Sequence, residues 1–179
     1  MNAAIGPEAV THGGDAAKPL FFAVSVMKLV VLSVCTLGLY QVFWLYKNWS
    51  LVRLRERSNI LPVARAIFGY FFCYSLFARI RDEQQRLVDS KRLPAMPLAV
   101  GWIVVTFLGA LPNYWWPVGL ASVSFIVPVQ LAITRINTAL VPDHDPNSRF
   151  TAVNWATIAI GSAMLVLAII GSILEPNAA

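Results

Sequence analysis

Arg65-Ala-Ile-Phe-Gly-Tyr-Phe-Phe-Cys-Tyr-Ser-Leu-Phe-Ala-Arg79 is the stretch on which the fold turns. Its uncharged run, 66–78, reads at first as a membrane span. Thirteen residues of helix reach only about 20 Å, whereas a span takes about 20 apolar residues to cross roughly 30 Å of hydrocarbon. The flanking charge gives a second argument. Ten of the fourteen Lys and Arg residues lie between Lys47 and Arg92, and basic residues in short loops stay on the cytoplasmic side. If 66–78 crossed, it would divide these ten into five (Lys47 to Arg65) and five (Arg79 to Arg92) on opposite faces. If it re-enters, all ten share one face, and the loop Pro112–Pro117 and the C-terminal tail carry none. The sequence therefore predicts a re-entrant or interfacial segment at 66–78 inside a basic cytoplasmic segment, 47–95.

The rest of the chain is consistent with a bilayer as solvent. Of 179 residues, 58% are hydrophobic and 13% charged, against roughly 45–50% and about 25% in soluble domains; mean hydropathy is +0.64. The excess gathers into runs that predict four transmembrane helices, near 29–46, 96–112, 117–137 and 153–174, an all-α polytopic membrane protein with both termini outside. Residues 1–19 read as a flexible polar tail and 20–179 as one helical membrane domain. The net charge of +5 sits beside apolar segments, where it serves topology and anionic lipid head groups rather than nucleic acid. Cys35 and Cys73 fall inside apolar runs and predict buried free thiols, and no cofactor or metal is expected.

Outward from 66–78, the aromatic and basic residues sort by depth. Tyr40, Trp44, Tyr46 and Trp49 meet Lys47 and predict an interfacial belt, with Phe43 and Lys47 on one helix face and in cation–π reach. Ser50–Asn59, carrying Arg53, Arg55 and Arg57, reads as a basic amphipathic piece on the inner leaflet. Arg65 and Arg79 bound the re-entrant run, and Lys28 is expected to snorkel to head groups. Arg79/Glu83 and Asp82/Arg86 are i,i+4 pairs on a solvated helix. Tyr114, Trp115 and Trp116, between Pro112 and Pro117, predict an outer aromatic belt, and Pro128 a bend. Small residues Ala152, Ala156, Ala159 and Ala163 permit close helix packing.

Two polar groupings remain. Gln130, Thr134 and Asn137 recur at helical spacing and must face away from lipid; interhelical hydrogen bonding and a polar cavity for a solute both fit. Asp143-His144-Asp145 is the one cluster resembling a metal or acid–base site, yet it lacks a further ligand or an adjacent nucleophile, and His12 is assigned to the other side. A membrane enzyme using this loop is the weakest reading; the expected function is non-enzymatic, through association of protein partners, a second copy or anionic lipids with the basic face.

The stretch Lys28–Trp49 resembles the opening helix of the bacterial DUF4234-type membrane proteins. Their T-x-G-[IL]-Y-x-x-[YF]-W-x-Y-K pattern is met by Thr36, Gly38, Leu39, Tyr40, Phe43, Trp44, Tyr46 and Lys47, and 66–80 is similar to the segment that follows. The resemblance implies a bacterial inner-membrane location and carries no catalytic residue, since that family has no established activity.

Overall fold

The computed structural model describes residues 18–88, 92–112 and 115–174. Among them all regular structure is helical, in the order α1 (Val26–Cys35), α2 (Leu39–Glu56), α3 (Pro62–Ile67), α4 (Gly69–Val88), α5 (Ala95–Gly109), α6 (Trp116–Leu120), α7 (Val123–Leu140) and α8 (Ala152–Leu174). Most of the tail 1–19, Tyr114 of the aromatic belt and the C-terminal Glu175 and Pro176 lie outside the described residues.

The expected first span, 29–46, is two helices and not one. Ser25 caps α1 by accepting from the Lys28 N–H at 3.3 Å. The helix ends in a Schellman turn: Gly38 N–H reaches Ser33 O at 2.8 Å and Leu37 N–H reaches Val34 O at 3.1 Å. Leu37 (φ 52°) and Gly38 (φ 91°) both take left-handed backbone, which costs a side chain at Leu37 and nothing at Gly38. Thr36 bridges the break, its hydroxyl donating to Leu32 O and accepting from Tyr40 N–H at 2.7 and 2.9 Å. The chain then doubles back. In a straight helix Phe22 and Phe43 would stand about 30 Å apart; their rings meet edge-on at 5.9 Å, and Phe22 N–H donates to Asn48 Oδ1 at 3.1 Å. α1 and α2 are thus the arms of a hairpin with its tip at 36–38.

The run 66–78 turns as well. α3 stops at Phe68 and α4 starts at Gly69. The guanidinium carbons of Arg65 and Arg79 lie 4.4 and 5.4 Å from the centroid of the same Trp49 ring. A straight helix would separate these arginines by about 20 Å, so the run leaves and returns to one level. α4 buries Cys73, Leu76, Phe77, Ile80 and Gln84, the 3–4 residue spacing of one helix face.

α5 has 15 residues, about 22 Å of rise, less than the 96–112 span requires. α6 runs into α7 through Ala121 and Ser122, which keep right-handed helical dihedrals with i→i+3 bonds. Two stretches are therefore long and apolar enough to cross a membrane by length and composition, Trp116–Leu140 and Ala152–Leu174, in place of the four expected. The all-helical expectation holds; the count falls because one apolar run reverses at Leu37–Gly38 and another is too short.

α8 packs against α1 through Gly161, where an added Cβ would collide with the Cys35 carbonyl. Its Val153, Ile160, Leu167 and Ile173 are all exposed. The core lies elsewhere, around Trp44, Trp49, Phe77, Ile126 and Ile133, all fully buried.

Candidate functional site

The polar residues of the core form one system that ties the extended segment 18–25 into the bundle. Gln130, fully buried, accepts from Trp44 Nε1 at 2.7 Å and donates to Val24 O at 2.9 Å. Two helical turns further along α7, Asn137 donates to Phe21 O at 2.9 Å and accepts from Phe21 N–H at 3.1 Å. From α2, Asn48 accepts from Phe22 N–H at 3.1 Å, while its amide N–H donates to Trp44 O in its own helix at 2.9 Å. Non-helical backbone buried among helices needs side-chain partners, and these amides supply them. Thr134 bonds only within its own helix, to Gln130 O at 3.0 Å. Of the ladder, Gln130 and Asn137 thus fasten the segment 18–25, and their amide groups are engaged there.

A second polar cluster was not singled out by the sequence. Gln41, 2% exposed, accepts from Trp102 Nε1 at 2.6 Å and donates to Ser122 Oγ at 2.9 Å. It joins α2, α5 and the α6–α7 link just beneath Gly38. The available signal was a lone amide inside an apolar run, which has to find partners.

The expected interfacial belt is largely core. Trp44 and Trp49 are fully buried, whereas Tyr46 stays exposed at 37% and Tyr40 is half-buried against Phe43 at 5.5 Å. The correction has a physical cause: the hairpin folds α2 back onto the bundle, so Trp44 meets Phe77 of α4 edge-on at 6.4 Å and bonds Gln130 of α7. Lys47 does lie over Phe43, at 5.9 Å, and also over Phe22 at 5.7 Å. Of the expected second belt, Trp115 is exposed, while Trp116 donates to Ser172 Oγ at 3.0 Å and joins α6 to α8.

The basic residues gather at the end of the bundle where α2 and α4 finish. Arg53 and Arg57 are exposed, and Arg55 covers the Phe21 ring at 4.9 Å. Arg65 sits between Trp49 and Phe72, 4.4 and 5.1 Å from their centroids. The expected i,i+4 pairs are replaced: Arg79 Nε bonds Glu56 Oε1 across α2 and α4 at 2.9 Å, Arg86 pairs with Glu83 and Arg81 with Asp82, both at 2.8 Å. The Arg79 hydrogen bond, with Arg55 and Arg65 nearby, holds the Glu56 carboxyl below its ordinary value.

Lys28 does not snorkel. It is 3% exposed, and its ammonium donates to Asn147 Oδ1 at 2.8 Å and Arg149 O at 2.9 Å, locking α1 to the loop before α8. That loop holds the acid–base candidate. His144 Nδ1 lies 2.8 Å from Val141 O, Asp145 accepts from Asn147 N–H at 2.8 Å in a turn, and Asp143 is exposed. Among the described residues no group of three or more His, Cys, Asp or Glu stands together to hold a metal ion, and His12 lies outside them. Cys35 and Cys73 are free thiols.

Between the hairpin tip, the C-terminal end of α5, α6 and Ala168 of α8 lies a cleft of about 460 Å³ with Gln41 and Trp102 in its lining. No family model, curated protein or solved structure matches this chain.

Proposed function

We propose that this chain is a non-enzymatic integral membrane protein that works by association, its basic face meeting anionic lipids and protein partners. The observation that carries the reading is α8: 23 residues with a mean hydropathy of 2.3, only 6% buried. A soluble protein's core helix of that composition is covered by protein, and exposed apolar patches of this extent mark a lipid or interaction surface. A helix apolar all round and bare to its surroundings belongs in hydrocarbon.

The proposed topology has three crossings. α5 leaves the basic face, α6–α7 returns to it, and α8 leaves again, while α1–α2 and α3–α4 dip in and come back. A helix as short as α5 is accommodated by local thinning at modest cost. Charge supports this arrangement: no Lys or Arg occurs between Arg92 and Arg135 or after Arg149, the stretches holding both outer loops. It also moves the N-terminus to the basic, cytoplasmic side, because the outside assignment rested on 29–46 crossing. The DUF4234-type pattern fits the same picture, with Thr36 and Gly38 forming the hairpin tip and Trp44 the core anchor, and with it the bacterial inner-membrane location is proposed. The solute-cavity reading is the weaker one, since the Gln130 and Asn137 amides are spent on Val24, Trp44 and Phe21.

An impermeant maleimide tests the topology in oriented vesicles. Asn59→Cys and Asp143→Cys should react from the cytoplasmic side and Leu111→Cys from the other. Reaction of Asn59→Cys and Asp143→Cys from opposite sides, or a chain that stays in solution without detergent, overturns the proposal. For association, lipid retained by the purified protein should be enriched in anionic species, and Arg53→Gln/Arg57→Gln/Arg65→Gln should lose that enrichment. Absence of enrichment together with recovery of this chain alone in a pull-down refutes the association reading.

A further inference from the structure

We propose that the cleft between the hairpin tip and the outer ends of α5, α6 and α8 is a binding site for one hydrocarbon chain of a membrane lipid. The inference rests on the membrane reading above and concerns a site away from the basic face.

Depth and length come first. The tip meets α8 at Gly161, against the Cys35 carbonyl, and the outer end is closed by the Trp116–Ser172 bond. Those two levels are eleven residues apart on one helix, about 16 Å, close to half of the roughly 30 Å hydrocarbon thickness. The walls of the cleft include Leu37, Val42, Ile67, Ala110, Leu120 and Ala168. A second hollow of about 380 Å³ shares Trp116 and Leu120 with it and continues along Leu165, Ile169 and Ile173 of α8, so the combined space is elongated.

The chemistry of the lining selects the occupant. All but one of its polar side chains are committed: Trp102 N–H and Ser122 to Gln41, the Thr106 hydroxyl to Trp102 O at 2.7 Å, and Trp116 N–H to Ser172. Tyr70 stacks its ring against Trp102 at 5.7 Å and Phe107 at 4.7 Å, and its hydroxyl is the single polar side-chain group left over in the lining. An ordered water needs two to four polar partners, and a space that lacks them is filled by apolar groups. A polar solute would meet the same lack. Gly109 and Gly119 pack backbone to backbone at the rim of the cleft, so a Cβ on Gly109 would strike Gly119.

The test uses the full chain in phosphatidylcholine–phosphatidylglycerol vesicles with a tracer phospholipid bearing a photoactivatable diazirine at a chain end, mapped by residue. Gln41 and Trp102 are 2% and 4% exposed and are reachable only from inside the cleft. Expected in the wild type is label on Gln41, Trp102 or Thr106 as well as on the exposed Leu167. Ala168→Trp, which fills the cleft from α8, should remove the interior label and leave that on Leu167. Label on Leu167 with none inside the cleft of the wild type overturns the proposal while leaving the membrane reading intact, as does interior label that survives Ala168→Trp in a folded protein. No label on Leu167 either means the membrane reading itself has failed.

Discussion

Gln130→Leu is the most informative single change. It keeps the side chain's approximate volume and removes two bonds at once, leaving Trp44 N–H and Val24 O without partners in a fully buried setting. Interhelical side-chain hydrogen bonds in bilayers average only about 0.6 kcal/mol, because the separated helices find other partners. Val24 differs in lying outside any helix, so its carbonyl has no ladder to rejoin. At about 1–3 kcal/mol for each of the two buried groups left unpaired, the expected loss is about 2–6 kcal/mol. Thr134→Val is the control: it removes a bond within one helix and should cost under about 1 kcal/mol. The assay is denaturant or thermal unfolding in detergent, run as a double-mutant cycle with Trp44→Phe. Once Trp44 has lost its N–H, Gln130→Leu orphans one group fewer, so the two changes should be less than additive by about 0.5–3 kcal/mol. Strict additivity, or a Gln130→Leu protein no less stable than Thr134→Val, refutes the claim that this amide holds the N-terminal segment in place.

Three further outcomes follow from the same geometry. Gly161→Val drives a side chain into the Cys35 backbone and should cost about 1–3 kcal/mol of stability as overpacking, whereas Gly171→Val, which meets nothing within 4 Å, should stay within about 0.5 kcal/mol of wild type; equal melting points would dismiss the α1–α8 contact. Phe22→Cys/Phe43→Cys in a background lacking Cys35 and Cys73 should be joined by a short bis-maleimide, as rings 5.9 Å apart permit, and failure to cross-link in folded protein returns 29–46 to a single span. Glu56 is held below its ordinary value of 4.5 by the Arg79 hydrogen bond; a lowered carboxyl contributes stability above its unfolded value that is lost as pH falls through the folded one, so stability should decline below about pH 4.5 in the wild type and less steeply in Glu56→Gln, a difference read from melting curves between pH 6 and pH 3.

Where the sequence reading succeeded, the governing physics was local. The all-helical class follows from long apolar runs, whose backbone must bond within each segment when water is absent. The break inside 66–78, at Phe68, agrees with a run whose length and flanking charges opposed a single straight crossing, and Arg65 and Arg79 meet on one indole. The pairing of Lys47 with Phe43 was legible from i,i+4 spacing. Reading failed at 29–46 because the Thr36–Gly38 break is written in three residues inside an apolar stretch, where a glycine alone reads as a kink. Trp44 and Trp49 were assigned to an interface for the same reason: an aromatic residue near a lysine looks alike whether its other face meets lipid or protein.

By itself, then, the chain determined its helices, its apolar surfaces and the crowding of positive charge toward one end, all properties of neighbours in sequence. Only the tertiary structure decided that Lys28 would bond Asn147, Gln130 join Trp44 to Val24, and Gln41 hold Trp102 and Ser122. Those partners lie 61 to 119 residues apart. A buried polar group announces that it needs a partner, but which one it finds depends on how the helices have packed around it.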